Sequence, residues 1–272
     1  MFLVVLLTMC SCFGNKTKDI ESVATDSVVV KDSLPTDTLE TIIAETPMPV
    51  AADELFDDFI FNFAANKKLQ MKRIRFPLDV QTGDSHSKLD KSAWNMEYFF
   101  MKQGFYTLLF NDEKQKELGQ DTAVSHGIIE KIYFADKRVK QYFFARERGS
   151  WMLQRIVNKT IDETPDATFL NFYHQFATDS AFQVQSLNST VQFVGPDPDD
   201  DFSEMEGVIT PDTWPAFAPE LPTDMIYNIV YGDEQKGGDT KIFVIRGIAN
   251  GFEMELTFKV VGGKWKLVQM QT

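Results

Sequence analysis

Histidine, the side chain most often used for acid–base catalysis and for zinc binding, is scarce in this chain. The 272 residues include three histidines, His86, His126 and His174. No two of them have the His-x-x-x-His or His-Glu-x-x-His spacing of a zinc site. His174 follows Tyr173 in a segment of helical periodicity, where both side chains could line a pocket, although a half-buried, hydrogen-bonded histidine is the commoner arrangement. We predict no metal site and keep Tyr173 and His174 as possible pocket residues.

An acidic segment, residues 197–204, places oxygen ligands at alternate positions, which suits a calcium ion. Two positions depart from the EF-hand pattern. Phe202 stands where that loop requires glycine, and Val208 stands where it requires a bidentate glutamate. The segment is therefore predicted to be a solvated acidic loop.

Motifs for other chemistry are missing from the sequence. No glycine-rich loop lies at a strand-to-helix junction, and there is no Gly-x-Ser-x-Gly elbow. We predict no cofactor and no catalytic residue. The one basic cluster, between Lys67 and Arg75, is best explained as a solvated helix end whose charge offsets the helix dipole, with contact to an anionic ligand or acidic partner as the alternative.

The two cysteines, Cys10 and Cys12, both follow a short apolar run, residues 2–9. That run is too short to span a bilayer but suits the hydrophobic part of a signal peptide. The segment resembles the lipobox of bacterial lipoproteins, in which a small residue precedes an acylated cysteine. Ser11 makes Cys12 the better lipid anchor. We predict a signal peptide over residues 1–12, against the alternative of a buried N-terminus with two incidental cysteines.

A flexible tether is predicted over residues 13–50. Between Asp19 and Thr46 there are seven acidic residues, one lysine and no aromatic residue, so burial cannot offset the entropy of ordering. Three Asp-hydroxyl-aliphatic tripeptides resemble the O-glycosylation sequon of exported Bacteroidetes proteins. They place possible glycans on Ser27, Ser33 and Thr38, although the acidic, hydroxyl-rich composition explains the tripeptides equally well.

The formal net charge of -13 disfavours some partners. It repels the phosphate backbone of nucleic acids and gives no basic patch for anionic lipid. We therefore predict no nucleic-acid partner, and contact with the membrane through the lipid anchor only. The predicted location is the cell envelope.

Two halves of the chain repeat one pattern. When Phe56 is placed on Phe169, the aromatic and apolar positions of one segment fall on those of the other. With small changes of offset in loops, the tyrosine-led segment at Tyr106 matches the one at Tyr227, and the Gly-x-Trp-x-Leu ending recurs. We predict a tandem duplication with domains over residues 51–160 and 161–272.

Each half begins with a helix and continues as strands. Phenylalanines recur at helical spacing in both halves, and the second helix is predicted to begin with Thr164 as cap and Pro165 in the first turn. Later segments alternate with period two, and Asn250-Gly251 and Gly262-Gly263 are suited to tight hairpins. The fold class is α+β, with two tandem cone-shaped domains, each an N-terminal helix packed on a curved antiparallel sheet.

This order resembles the nuclear transport factor 2-like superfamily, whose cystatin-like cones often hold a pocket. The whole layout resembles uncharacterised lipoproteins of that fold from Bacteroides and relatives. Enzymes of the superfamily, such as ketosteroid isomerases and polyketide cyclases, use a pocket aspartate or tyrosine. Asp112, Asp233, Tyr106 and Tyr227 are shared by both halves, and shared positions are more simply explained by turns and packing.

The leading hypothesis is a non-enzymatic envelope module that binds a small apolar ligand, a glycan or an envelope protein. A cryptic enzyme of the isomerase or cyclase type and a structural accessory subunit are the alternatives. The state of the two cones separates them. Open cavities would favour ligand binding or catalysis, and cones filled with phenylalanine would favour an interaction role.

Overall fold

The computed structural model describes residues 53–197, 199–234 and 236–272. The predicted signal peptide, the anchor Cys12, the tether and its candidate glycosylation sites Ser27, Ser33 and Thr38 lie outside these residues. Within them, no helix combines the length and the apolar character needed to cross a membrane.

Aromatic residues at helical spacing form the main helices of both halves. The helices are α1 (Phe56–Ala65), α2 (Lys67–Arg73), α3 (Glu113–Glu117), α4 (Ala167–Thr178) and α5 (Ser180–Gln185). Helix α1 buries Phe56, Phe59 and Phe63, and α4 buries its aromatic face in the same way. A side-chain oxygen caps the helix that follows in each half: Asn66 accepts from Leu69 N, and Asp179 accepts from Phe182 N.

The predicted start of the second-half helix is wrong. Thr164 does not cap α4, because its hydroxyl donates to the carbonyl of Ile161 at 2.7 Å. A capping box between Thr160 and Glu163 instead closes a short 3₁₀ turn, and α4 begins only at Ala167.

Twelve strands of the described residues form two six-stranded sheets. The strands are β1 (Ile74–Thr82), β2 (Ser85–Leu89), β3 (Phe105–Phe110), β4 (His126–Tyr133), β5 (Arg138–Glu147), β6 (Ser150–Thr160), β7 (Leu187–Asp197), β8 (Asp200–Ile209), β9 (Met225–Tyr231), β10 (Thr240–Gly247), β11 (Glu253–Val261) and β12 (Lys264–Gln271). The first sheet has the order β2-β1-β6-β5-β4-β9, and the second has the order β3-β10-β11-β12-β7-β8. The predicted α+β class, with helices packed on sheets, is confirmed.

Most neighbouring strands run antiparallel, as predicted, and each sheet also contains one parallel pair. Strand β1 runs parallel to β6, and β7 runs parallel to β12. In each half the first strand after the helices returns beside the last strand of that half. The predicted tight turn at Gly262 and Gly263 is present, with both residues at positive φ between β11 and β12.

The two halves exchange one strand each. Strand β3, from the first half of the sequence, pairs with β10, and β9, from the second half, pairs with β4. The sequence-derived boundaries at residues 51–160 and 161–272 stay predictions, and they did not anticipate this exchange. We call residues 53–160 and 161–272 the first and second units.

Two polar side chains tie the exchanged strands together where they meet. The Thr107 hydroxyl donates to the carbonyl of Tyr227 and accepts from its amide, and Asn228 Oδ1 accepts from Leu109 N at 2.9 Å. Both side chains are buried. The amide of Asn228 also donates to the buried carboxylate of Glu130 at 2.8 Å. The junction between the units is therefore a satisfied polar network.

The apolar interior forms two cores, and the exchanged strands contribute to both. Leu108 of β3 packs in the first core with α1, and the neighbouring Leu109 packs in the second with α4. Strand β9 divides its side chains in the same way, with Ile226 in the second core and Tyr227 in the first. Each exchanged strand thus lies between the cores and presents one face to each.

The same glutamine–tryptophan contact closes the helical end of each unit. Gln70 accepts from Trp94 Nε1 at 3.0 Å and donates to the carbonyl of Phe63. In the second unit, Gln183 accepts from Trp214 Nε1 at 2.8 Å and donates to the carbonyl of Phe176. These are the positions that the sequence repeat aligns.

Candidate functional site

We call one end of each unit its mouth. It is the end at the β4–β5 turn in the first unit and the end at the β10–β11 turn in the second. In the first unit the segment between Trp94 and β3 folds over the core. Its short 3₁₀ turn, Phe99–Lys102, inserts Phe99 and Phe100, which are fully buried. The ring of Phe99 packs edge-on against Tyr142, with centroids 4.9 Å apart. These two phenylalanines form an aromatic plug that closes the first mouth.

Charged side chains complete the closure of the first mouth. Glu97 accepts from the Tyr142 hydroxyl at 2.6 Å and from Lys131 Nζ at 3.0 Å. Desolvation alone would raise the pKa of Glu97, but these hydrogen bonds and the charge of Lys131 together lower it. Burial and the neighbouring Glu97 carboxylate raise the pKa of Tyr142. The cluster is internally paired.

Two further groups face the same cluster. Burial lowers the pKa of Lys140, which lies beside Lys131 across the β4–β5 pair. Burial raises the pKa of Tyr227 to about 12, against the opposing charge of Lys131. The first mouth is thus lined by ionised and phenolic groups whose partners come from the protein itself.

The second mouth has the same strand pairing as the first, but apolar side chains take the place of charged ones. Ile245 and Met254 face each other across the β10–β11 pair, in the place that Lys131 and Lys140 take in the first unit. An apolar cleft of about 530 Å³ opens there. Its lining is drawn from the start of β3, the loop after Phe217 and the β10–β11 turn: Gln103, Gly104, Phe105, Pro219, Glu220, Leu221, Pro222, Ile245, Gly247, Asn250, Phe252 and Met254.

The wall of this cleft is the segment that matches the aromatic plug in sequence. Residues 219–222, here called the strap, read Pro-Glu-Leu-Pro and have neither helix nor strand structure. On its other side lies a flanking cleft of about 430 Å³, which reaches Phe176 and Ser180. The strap therefore has open space on both sides.

Phe252 marks the rim of the apolar cleft. It is 47% exposed, one of the few large apolar side chains of the described residues left open to solvent. Gln103 and Asn250 bring side-chain amides to the same rim, and Glu220 brings the one carboxylate of the lining. Apolar walls with a few polar groups at the entrance are typical of small-molecule sites.

Tyr173 and His174 lie close to this region but line none of the clefts described here. Tyr173 is buried in the second core, and its hydroxyl donates to the carbonyl of Pro222 at 3.0 Å, so it holds the strap. Burial raises its pKa well above the usual value. The His174 ring stacks on Phe134 at 5.0 Å. Their predicted role as pocket residues stays a prediction.

A carboxyl–tyrosine pair lies between the units. The Tyr231 hydroxyl of β9 donates to Asp57 of α1 at 2.8 Å. Burial raises the pKa of Asp57 to about 6, against the opposing effects of that hydrogen bond and of the Arg246 charge. The adjacent cavity, lined by Tyr231 and Glu130, has about 30 Å³, which is room for about one water molecule.

The remaining sequence candidates have structural partners. Arg73 of the basic cluster pairs with Asp53, and Asp112 caps α3 by accepting from Gln115 N. A polar cleft of about 630 Å³ on the outer face of the first sheet contains His126 and Arg155. Among the described residues, no group of three or more histidine, cysteine or acidic side chains is arranged to hold a metal ion.

The residues that form the apolar cleft were missed in the sequence because they look like ordinary strand positions. Phe105, Ile245 and Met254 follow the period-two pattern of half-buried strands. A usable signal was present in the repeat alignment, where two lysines of one copy are replaced by isoleucine and methionine in the other. Such a change at a paired position indicates that the two mouths have diverged.

Comparisons with known proteins agree with this architecture. A family model described as "Domain of unknown function (DUF4348)" matches residues 35–272. The crystal structure of a nuclear transport factor 2-like (NTF2-like) protein from Bacteroides fragilis is similar to this chain with a TM-score of 0.75 and 40% sequence identity, over 83% of this chain and 98% of that one. No protein with a curated description matches. The chain therefore belongs to the NTF2-like proteins and to the family described as Domain of unknown function (DUF4348).

Proposed function

We propose that this protein is a non-enzymatic, ligand-binding lipoprotein of the cell envelope, built from two duplicated NTF2-like units. The observation that carries the proposal is the difference between the two mouths. One is closed by phenylalanines and paired charges, and the other leaves an apolar cleft with an exposed phenylalanine at its rim. The envelope setting rests on the resemblance of the N-terminal segment to a lipobox.

The chemistry of the second mouth favours a small apolar ligand. A volume of about 530 Å³ lies within the range of small-molecule sites. Ile245 and Met254 form its floor and are already in the second core, so a ligand would extend that core rather than create a separate one. Apolar surface removed from water by both partners supplies the binding free energy.

The first unit has a supporting role in this proposal. Its plug, Phe99 and Phe100, occupies the space that a ligand would need, and Glu97 already has its hydrogen-bond donors. The first unit also supplies Gln103, Gly104 and Phe105 to the cleft of the second. The duplicated unit is therefore used once as a scaffold and once as a binding site.

Replacing Phe252 tests the proposal. Phe252→Ala should weaken binding of the neutral fluorescent probe N-phenyl-1-naphthylamine about fivefold, because the ligand loses roughly 1 kcal/mol of apolar contact. Val261→Ala is the matched control, since Val261 is 45% exposed at the end of the same hairpin and outside the cleft. The measurement is fluorescence titration of the full chain.

Equal affinities for the two variants would place the probe elsewhere and contradict the proposal. The envelope location is tested separately by intact-mass analysis of protein purified from membranes. Acyl chains on Cys12 are expected, and glycans on Ser27, Ser33 and Thr38 would add their own mass. An unmodified chain in the soluble fraction would contradict the lipid anchor.

An enzyme of the ketosteroid isomerase type is the second candidate. It is favoured by Asp57, a carboxyl with its pKa raised to about 6 and a tyrosine at hydrogen-bond distance. The cavity beside this pair has about 30 Å³, so a substrate would have to open the junction between the units. Isomerisation of a β,γ-unsaturated ketone by the wild type, abolished by Asp57→Asn, would favour the enzyme over the binding module.

A further inference from the structure

The two clefts at the second mouth share one wall. Pro219, Glu220 and Leu221 of the strap line both the apolar cleft and the flanking cleft. The floors on the two sides belong to one core, because Met254 on one side and Phe176 on the other both pack in it. Met254 and Phe176 thus reach the strap from opposite sides, and Thr178, Ser180 and Gln183 make the flanking cleft the more polar of the two.

Few interactions hold the strap. In the described part of the chain, residues 219–223 make no backbone-to-backbone hydrogen bond, and the nearest ones are made by Ala218 and Asp224 at its ends. Two of the strap's four residues are prolines, which have no amide hydrogen to donate. The fixed points are the hydrogen bond from Tyr173 to the carbonyl of Pro222 and the half-buried side chain of Leu221. Such a segment belongs to the low-stability end of a fold.

We propose that the strap is a movable wall, and that its outward movement joins the two clefts into one channel for a single, unbranched aliphatic chain. This inference rests on the proposed function and names its ligand class. A chain lying along the joined floor would replace Leu221 on the second core. A compact ring system would need only the apolar cleft and would leave the strap in place.

The polar groups at the entrance indicate the head group of that ligand. Gln103 offers its side-chain amide to a hydroxyl, and Asn250, whose Oδ1 already accepts from Phe252 N, offers its N–H groups. The carboxylate of Glu220 on the strap repels an anionic head. The lining of the two clefts contains no lysine or arginine to pair with a carboxylate or phosphate. A neutral alcohol or ester end therefore fits better than a free fatty acid.

A series of straight-chain alcohols tests the channel. Hexanol, octanol, decanol, dodecanol and tetradecanol are titrated against the probe-loaded full chain, and competition gives each affinity. For the wild type we expect affinity to rise roughly fourfold per methylene and to continue rising after the apolar cleft is full. Ser180→Trp fills the flanking cleft from an exposed position and should end the rise at a shorter chain. Ser87→Trp, exposed on β2, is the matched control.

The outcomes separate this inference from the proposed function. If affinity stops rising at the same chain length in the wild type and in Ser180→Trp, the ligand uses the apolar cleft alone, and the channel is wrong while the binding function stands. If neither the probe nor any alcohol binds, both are wrong. If affinity stops rising with chain length in Ser180→Trp but continues to rise in the wild type, the channel is supported.

The movement itself has a separate readout. Tyr173→Phe removes the hydroxyl that holds Pro222 and should speed both probe association and probe dissociation severalfold. Tyr142→Phe in the first unit removes a hydroxyl of similar burial and should leave both rates unchanged. Unchanged rates in Tyr173→Phe would contradict a strap held by this hydrogen bond.

Discussion

At the scale of the residue, the two units have different side chains at equivalent backbone positions of the mouth. The pairs Lys131–Lys140 and Ile245–Met254 occupy equivalent cross-strand positions. One pair faces Glu97 and two phenols, and the other faces open space. A change of two side chains, together with the replacement of a plug by a strap, is enough to turn a closed mouth into a cleft.

Asp57 provides a prediction at this scale. Its pKa in the folded chain is raised from 3.8 to about 6, so between these two pH values the folded state keeps a proton that the unfolded state releases. Its contribution to stability is therefore fully present below pH 3.8 and is lost as pH rises through about 6. Asp57→Asn should be more stable than the wild type at pH 7, by about 1–2 kcal/mol after allowance for partial exposure, and should lose this advantage at pH 4.

The measurement is urea unfolding of both proteins at several pH values. Asp58 is exposed in the same turn of α1, and its charge is the smallest of the named effects on the pKa of Asp57. Asp58→Asn therefore serves as the control, with a much weaker pH dependence expected. A stability difference between Asp57→Asn and the wild type that does not change with pH would contradict the prediction.

At the scale of the element, buried glutamines fix the second helix of each unit to its surroundings. Gln70 makes four hydrogen bonds, to Phe63, Trp94 and both backbone groups of Glu97. Gln183 makes two, to Phe176 and Trp214. The same side chain therefore ties down a longer segment in the first unit, where the loop carries the plug.

Substitution of these glutamines should reveal that difference. Gln70→Leu removes the side-chain partner of four polar groups, two of them on the half-buried backbone of Glu97, and should lower the free energy of unfolding by about 3 kcal/mol, whereas Gln183→Leu should lower it by about 2 kcal/mol. Chemical denaturation of the two variants under one set of conditions gives the comparison. Equal losses, or a larger loss for Gln183→Leu, would contradict the assignment.

The helices and hairpins were largely readable from the sequence, and the pairing of strands was not. Phenylalanines at helical spacing predicted α1 and α4, because burial of that face is a local requirement. The start of α4 was misjudged, since Thr164 satisfies a nearby carbonyl in a 3₁₀ turn instead of capping the helix. The exchange of β3 and β9 was hidden for a different reason. Strands β3 and β9 have the same pattern of apolar residues. Either strand could therefore pair with β4 or with β10 as far as local hydrophobic patterning is concerned.

Part of the candidate site could not be predicted, because it depends on the exchange of β3 and β9. Phe105 reaches the apolar cleft only because β3 crosses to the second sheet, and no spacing in the sequence indicates such a crossing. Tyr173 was predicted as a possible pocket residue, and that role stays a prediction; its hydroxyl donates to the carbonyl of Pro222. Sequence patterns located the region but could not separate a residue that lines the cleft from one that supports its wall.

At the scale of the whole molecule, the exchange makes each sheet depend on both units. We expect the folded part to unfold in one cooperative step, with a calorimetric enthalpy equal to the van't Hoff enthalpy. Phe243→Ala in the second core should lower the single midpoint, at a cost of about 3–5 kcal/mol, without splitting the transition. Differential scanning calorimetry and tryptophan fluorescence, with Trp151 in one unit and Trp265 in the other, follow both units.

Two resolved transitions in Phe243→Ala would mean that the units fold independently despite the exchange. Truncation of an exposed side chain controls for non-specific effects. Val208 on the edge strand β8 is 58% exposed, so Val208→Ala should leave the midpoint nearly unchanged.

The crossing of β3 and β9 also has a mechanical meaning. Between residues 53–160 and 161–272 the backbone crosses once, in the short stretch that joins β6 to α4, and the other contacts between the units include the hydrogen bonds of the shared sheets. A protease cut there would produce two pieces that stay interlocked, because each piece retains a strand threaded into the other's sheet. With the lipid anchor proposed above on Cys12, the second unit would stay attached to the membrane through the first after such a cut.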